Sequence, residues 1–169
     1  QTTARLPWLL IGMLGGIGNS MILGNFDSTF AAHPEMALYI PLIGGTGGNV
    51  GTQSSALVVQ GLANSSLNAE NTFKQVLKES VVALINATII SMLVYIYNFI
   101  RFGATATVSY SVSISLFAVV MFASIFGTLV PMTLEKLKID PAIATGPFIS
   151  ITNDIIGMLM YMGITVLLS

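Results

Sequence analysis

One acidic residue, Asp154, lies inside a long apolar stretch near the C-terminus of the chain. It stands near the middle of residues 141–169, and no Lys, Arg or His lies within an apolar stretch to pair with it. An acid at membrane depth costs about 2.5 to 3.5 kcal/mol on insertion scales, and such residues are usually functional. We interpret Asp154 as the ligand of a cation from solution. The alternative is a neutral aspartic acid that hydrogen-bonds a neighbouring helix.

A second unusual stretch, residues 41–61, is uncharged but carries five glycines between Gly44 and Gly51. Amide and hydroxyl groups at membrane depth are costly unless they face protein, water or an ion. Helical spacing gathers the polar and small residues of this stretch on one face, and those around Asp154 on another. Asp154 is the predicted metal-binding residue, and the predicted ion-pathway residues are Gly45, Gly48, Asn49, Thr52, Gln53, Ser150, Asn153 and Gly157.

The two stretches offer carbonyl, amide, hydroxyl and carboxylate oxygens, and neither contains His or Cys. Hard cations such as Mg²⁺ and Ca²⁺ prefer oxygen ligands, whereas most transition metals favour nitrogen or sulfur. We interpret the single His33 as an ordinary loop residue. The donor set therefore favours a hard divalent cation, either Mg²⁺ or Ca²⁺.

A single acid in the apolar part of each chain is a poor match for a divalent charge. A two-fold dimer with the site on its axis would supply two carboxylates, and C2 is the commonest oligomeric symmetry. Mg²⁺ gives up its water reluctantly, so neutral oxygens near the acid can hydrogen-bond its water shell. We therefore expect a homodimer with a pore at the subunit interface.

The composition identifies an all-α membrane protein. Of 169 residues, 54% are hydrophobic and only 8% are charged, against about a quarter charged in soluble domains. A spanning helix needs about 20 apolar residues. We predict five transmembrane helices, with a loop that begins near Asn25 and contains His33, and a single domain over residues 1–169. The helices are predicted at about 5–27, 36–62, 70–100, 107–135 and 141–168.

The basic residues predict the orientation of the chain. On a five-helix path Arg101 lies alone on one side of the membrane, and the other five lie opposite. The positive-inside rule then places the N-terminus in the cytoplasm and the C-terminus outside, and we expect a multi-pass protein of the cell (plasma) membrane. The five residues on the cytoplasmic side are Arg5, Lys74, Lys78, Lys136 and Lys138.

Residues 40–53, Ile-Pro-Leu-Ile-Gly-Gly-Thr-Gly-Gly-Asn-Val-Gly-Thr-Gln, resemble the second-helix signature of the MgtE family of magnesium channels. Residues 140–157 (Asp-Pro-Ala, Gly-Pro, then Asp and Gly) and 5–10 (Arg-Leu-Pro-Trp-Leu-Leu) also resemble that family's membrane domain. The resemblance implies a homodimer in which Asp154 recognises hydrated Mg²⁺. It also implies that family regulatory soluble domains are absent from this segment. Thr52 stands where some members have Asn.

Other function classes fit the residues less well. A Na⁺-coupled Mg²⁺ exchanger could use the same site, and the sequence leaves that alternative open. An enzyme needs a nucleophile with a base, or a metal-bound catalytic water. One loop histidine and one intramembrane acid supply neither, so we expect no enzymatic activity. A net charge of −1 argues against a nucleic-acid partner. A purely structural module would leave the unpaired Asp154 unexplained.

Overall fold

Long apolar stretches separated by short polar turns fold into helices, because a helix satisfies its own backbone hydrogen bonds. The computed structural model describes residues 2–32, 34–65, 72–103, 107–141 and 147–168. Every regular element within these ranges is helical, as predicted for an all-α protein. The elements are α1 (Thr2–Gly24), α2 (Asp27–Ala32), a 3₁₀ helix (Pro34–Tyr39), α3 (Ile40–Ala63), α4 (Thr72–Phe102), α5 (Thr107–Lys136) and α6 (Pro147–Leu168).

The segment after α1 differs from the predicted loop. Residues 27–32 form the short helix α2, and the 3₁₀ helix Pro34–Tyr39 leads directly into α3. Buried Met36 and Tyr39 explain the difference, since the 3₁₀ helix packs these side chains against the core. His33 lies outside the described residues, and so do residues 142–146 at the predicted start of the last helix.

Among the described residues, three helices are long and apolar enough to cross a membrane. They cover Thr72–Phe102, Ser109–Lys136 and Phe148–Leu168, and Leu9–Gly24 is a shorter apolar helix. The protein is therefore a membrane protein. Helix α3 is not among these three, because glycines and polar side chains interrupt its apolar residues.

Helix α5 is the central element of the packing. It packs against α3, α4 and α6, whereas α1 packs mainly against α6. The core joins Ile43 of α3 and Met158 of α6 to Val119 of α5, all almost fully buried. This core fixes α3 and α6 side by side, and these are the two helices that carry the predicted site residues.

Two tyrosine hydroxyls tie the 3₁₀ helix to the long helices. Tyr161 of α6 donates a hydrogen bond to the backbone oxygen of Met36 at 2.9 Å. Tyr39 donates to the side-chain oxygen of Asn98 on α4 at 2.5 Å. Both interactions are buried, so the segment that leads into α3 is held at a fixed position over the core.

Gly127 of α5 allows a close backbone approach between α5 and α3. A Cβ atom at this position would lie 2.6 Å from the carbonyl oxygen of Gly51 on α3. Small residues let backbones approach this closely at helix interfaces in membranes.

Replacing Gly127 with valine is therefore expected to destabilise the fold by about 1 to 3 kcal/mol, the usual cost of overpacking. Thermal unfolding in detergent measures the effect as a lower melting temperature. Gly18→Val is the matched control, because no atom lies within 4 Å of a Cβ at Gly18. Equal melting temperatures for the two variants would contradict the close approach.

Candidate functional site

Helices α3 and α6 place their polar residues around a common cavity. Asp154 and Ser150 are four residues apart on α6, so they share one face of the helix. Across from them α3 presents the glycine-rich face that begins at Gly44. The open cavity has a volume of about 430 Å³ and is lined by Asn19, Ile40, Gly44, Gly45, Gly48, Asn49, Thr52, Ser150, Asp154 and Met158.

Missing side chains on α3 create the space in front of Asp154. A Cβ atom at Gly44 would lie 3.6 Å from the Oδ1 atom of Asp154, in van der Waals contact. At Gly45 and Gly48 a Cβ would have no atom within 4 Å, because both positions face open space. The wall of the cavity opposite the carboxylate is therefore largely peptide backbone.

The cavity combines one carboxylate with neutral polar groups. Asn49, Thr52 and Ser150 supply amide and hydroxyl groups, and none of the described residues that line the cavity is basic. Within the described part of the chain, no three Asp, Glu, His or Cys residues lie close enough together to hold a metal ion directly. Six waters occupy about 180 Å³ at ~30 Å³ each, so a hydrated ion fits the volume. The arrangement suits binding through a water shell.

Three of the sequence-predicted pathway residues lie outside the cavity lining. Gln53 is exposed elsewhere on α3. Asn153 is buried between α6 and α3, where its side-chain amide donates to the Gly47 carbonyl at 3.5 Å and fills the space beside Gly51. Gly157 faces Val119 of α5. Successive helical residues turn by about 100°, so Asn153 points toward the packed interface while Asp154 points into the cavity.

The structure adds residues to the site that the sequence interpretation missed. Gly44 and Ile40 extend the α3 wall, and Met158 lies one turn beyond Asp154 on α6. Asn19 of α1 supplies a third wall. The i, i+4 spacing of Met158 from Asp154 could have identified Met158 from the sequence. The polarity of Asn19 within an apolar stretch could have identified that residue in the same way.

Helix α1 reaches the cavity through a close contact with α6. A Cβ atom at Gly15 would lie 2.6 Å from the Cγ2 atom of Ile151, so only glycine permits this approach. Asn19 follows Gly15 by one helical turn and lines the cavity. The cavity within one chain is therefore built from three helices, α1, α3 and α6.

Comparisons with known proteins point to one family. The family model described as "MgtE: Divalent cation transporter" matches residues 40–164, which include α3, most of α6 and the residues between them. The chain is 34% identical over 160 residues to the magnesium transporter MgtE of Bacillus subtilis, covering 95% of this chain and 35% of that protein. It is 33% identical over 165 residues to the magnesium transporter MgtE of Thermus thermophilus, covering 98% and 36%.

The resemblance seen in the sequence motifs is thus confirmed over most of the chain. The chain spans about a third of the length of the curated relatives that it matches. The matched region contains the cavity-lining residues of α3 and α6. Because the family model matches most of the chain, the chain belongs to the MgtE family of divalent cation transporters.

Proposed function

We propose that two copies of this chain form a pore that conducts Mg²⁺ across the plasma membrane, with the hydrated ion held at Asp154 of both subunits. The observation that carries the proposal is the position of Asp154 in an open cavity whose other polar lining groups are neutral. The relatives named as magnesium transporters support Mg²⁺ as the ion.

Recognition through the water shell follows from the chemistry of the lining. Each water on Mg²⁺ points its hydrogens outward, so the shell needs acceptors instead of direct ligands. Asp154, Asn49, Thr52 and Ser150 provide acceptor oxygens around a volume larger than the hydrated ion. Selection then depends on the size and geometry of the hydrated ion, as in other selectivity filters.

The proposal of a dimer follows from the charge of the site, and the proposal of five membrane-spanning helices follows from the polarity of α3. One carboxylate per cavity leaves a divalent ion half neutralised, and a second copy on a two-fold axis supplies the other carboxylate. Helices α1 and α3 are proposed to span the membrane beside α4, α5 and α6, since Asn49 and Thr52 of α3 line the cavity. The basic residues place the N-terminus in the cytoplasm and the C-terminus outside.

A flux measurement tests the proposed function. The protein is reconstituted into liposomes that contain a Mg²⁺-sensitive dye, and Mg²⁺ is added outside with and without an opposing Na⁺ gradient. We expect Mg²⁺ entry that follows the Mg²⁺ gradient and the membrane potential and continues without Na⁺. Entry or efflux that strictly requires Na⁺ would establish the exchanger instead, and absence of flux under both conditions would contradict Mg²⁺ transport.

A further inference from the structure

Among the described residues of α1, Asn19 is the one that lines the cavity. Its side chain is half-buried, and it shares the cavity with Asp154 of α6 and Asn49 of α3. The Oδ1 atom of Asn19 is enclosed and accepts no hydrogen bond from any described residue. Buried polar atoms usually have a partner, because an unmade hydrogen bond at such a site is costly.

The register of α1 and α6 brings Asn19 to the level of Asp154. The contact between Gly15 and Ile151 fixes the two helices at one point. Asn19 lies four residues beyond Gly15, a rise of about 6 Å, and Asp154 lies three residues beyond Ile151, a rise of about 4.5 Å. Both residues line the same cavity, so the two helices run in the same direction from their contact and present an amide and a carboxylate at similar depth.

The chemistry of an amide suits this position. Asparagine is neutral, so it adds no charge that would hold a divalent ion too tightly beside Asp154. Its oxygen accepts hydrogen bonds, and its terminal torsion is soft enough to exchange the oxygen and nitrogen positions. In the structure this oxygen is enclosed and has no partner among the described residues, so a turn of the terminal torsion is what presents it to a donor in the cavity.

We infer that Asn19 is a specificity-determining residue of the ion path, whose amide oxygen accepts a hydrogen bond from the water shell of the divalent cation at Asp154. This inference rests on the proposed function and assigns α1 a part in ion recognition. Helix α1 then forms a third wall of the cavity, and Asn19 contacts the hydrated ion from the side that α3 and α6 leave open.

The test measures Mg²⁺ flux as a function of Mg²⁺ concentration in liposomes, with Ca²⁺ as competitor. Asn19→Leu keeps the approximate shape of the side chain and removes the acceptor. We expect its half-saturating Mg²⁺ concentration to rise roughly three- to ten-fold, the effect of one hydrogen bond, and its preference for Mg²⁺ over Ca²⁺ to fall. Ser20→Leu is the matched control on the same helix, because Ser20 is exposed and its hydroxyl bonds only to the Gly16 carbonyl.

A second variant keeps the inference testable if the Asn19→Leu protein fails to fold. Asn19→Asp keeps the acceptor and adds a charge, so we expect a lower half-saturating Mg²⁺ concentration than in the unmodified protein. An unchanged half-saturating concentration in either folded variant overturns the inference, as does an equal change in Ser20→Leu. Asp154→Asn is measured in parallel. If that variant transports normally, the proposed site itself fails; if it loses flux while the Asn19 variants behave normally, only the role of Asn19 fails.

Discussion

Replacing Asp154 with asparagine will lower Mg²⁺ flux by roughly ten-fold or more while leaving the protein folded. The substitution keeps the shape of the side chain and removes the charge that attracts the ion. Hydrogen bonds to a charged group contribute about 1.5 to 3 kcal/mol, against about 0.5 to 1.5 kcal/mol for neutral groups, and that difference sets the expected loss. Dye-based flux in liposomes measures the effect.

The control for Asp154 is an acid far from the cavity. Glu135→Gln removes a carboxylate from the exposed end of α5 and is expected to leave flux unchanged. A monodisperse elution profile for Asp154→Asn in detergent shows that the variant is folded. Flux equal to that of the unmodified protein would remove Asp154 from the ion path and leave the cavity without a cation-binding group.

Replacing Gly48 with leucine will block Mg²⁺ flux without unfolding the protein. A Cβ atom at Gly48 meets no atom within 4 Å, so the fold can accept a side chain there. Because Gly48 lines the cavity opposite Asp154, the added leucine fills the space that the hydrated ion needs. We expect flux to fall roughly ten-fold or more, as a hydrophobic constriction excludes a hydrated ion.

The neighbouring glycine provides a control with the opposite phenotype. Gly47 is buried, and a Cβ atom there would lie 2.8 Å from the Cγ1 atom of Val119. Gly47→Leu should therefore reduce the yield of folded protein and its melting temperature. An equal loss of stability in Gly48→Leu and Gly47→Leu would contradict the assignment of Gly48 to the open face of α3.

Residue type and helical period predicted a large part of this site. Asp154 was singled out because it is isolated in an apolar stretch, and its spacing from Ser150 predicted the shared face of α6 that lines the cavity. On α3 the same reasoning placed Gly45, Gly48, Asn49 and Thr52 together, and the structure brings them into one cavity lining. These residues were predictable because polar groups at membrane depth need a partner.

The placement of the other residues depends on contacts between helices, which helical periodicity does not predict. Asn153 is as polar as its neighbour Asp154, yet it faces α3 because α6 packs there. Gly157 contacts Val119 for the same reason. Asn19 reaches the cavity only because Gly15 lets α1 approach Ile151, a pairing between residues far apart in sequence. Helix order alone does not specify which helices touch.

The bare backbone of α3 at Gly45 and Gly48 also limits how the ion preference of this protein can change during evolution. The peptide groups of this wall are the same in every residue, and any substitution of a glycine there adds a side chain that takes up space in the cavity. Under the proposed function, we expect new preferences to arise chiefly at the polar side chains of the lining, Asn19, Asn49, Thr52 and Asp154. The glycines act as a fixed boundary, and adaptation of the site is confined to a few polar positions around it.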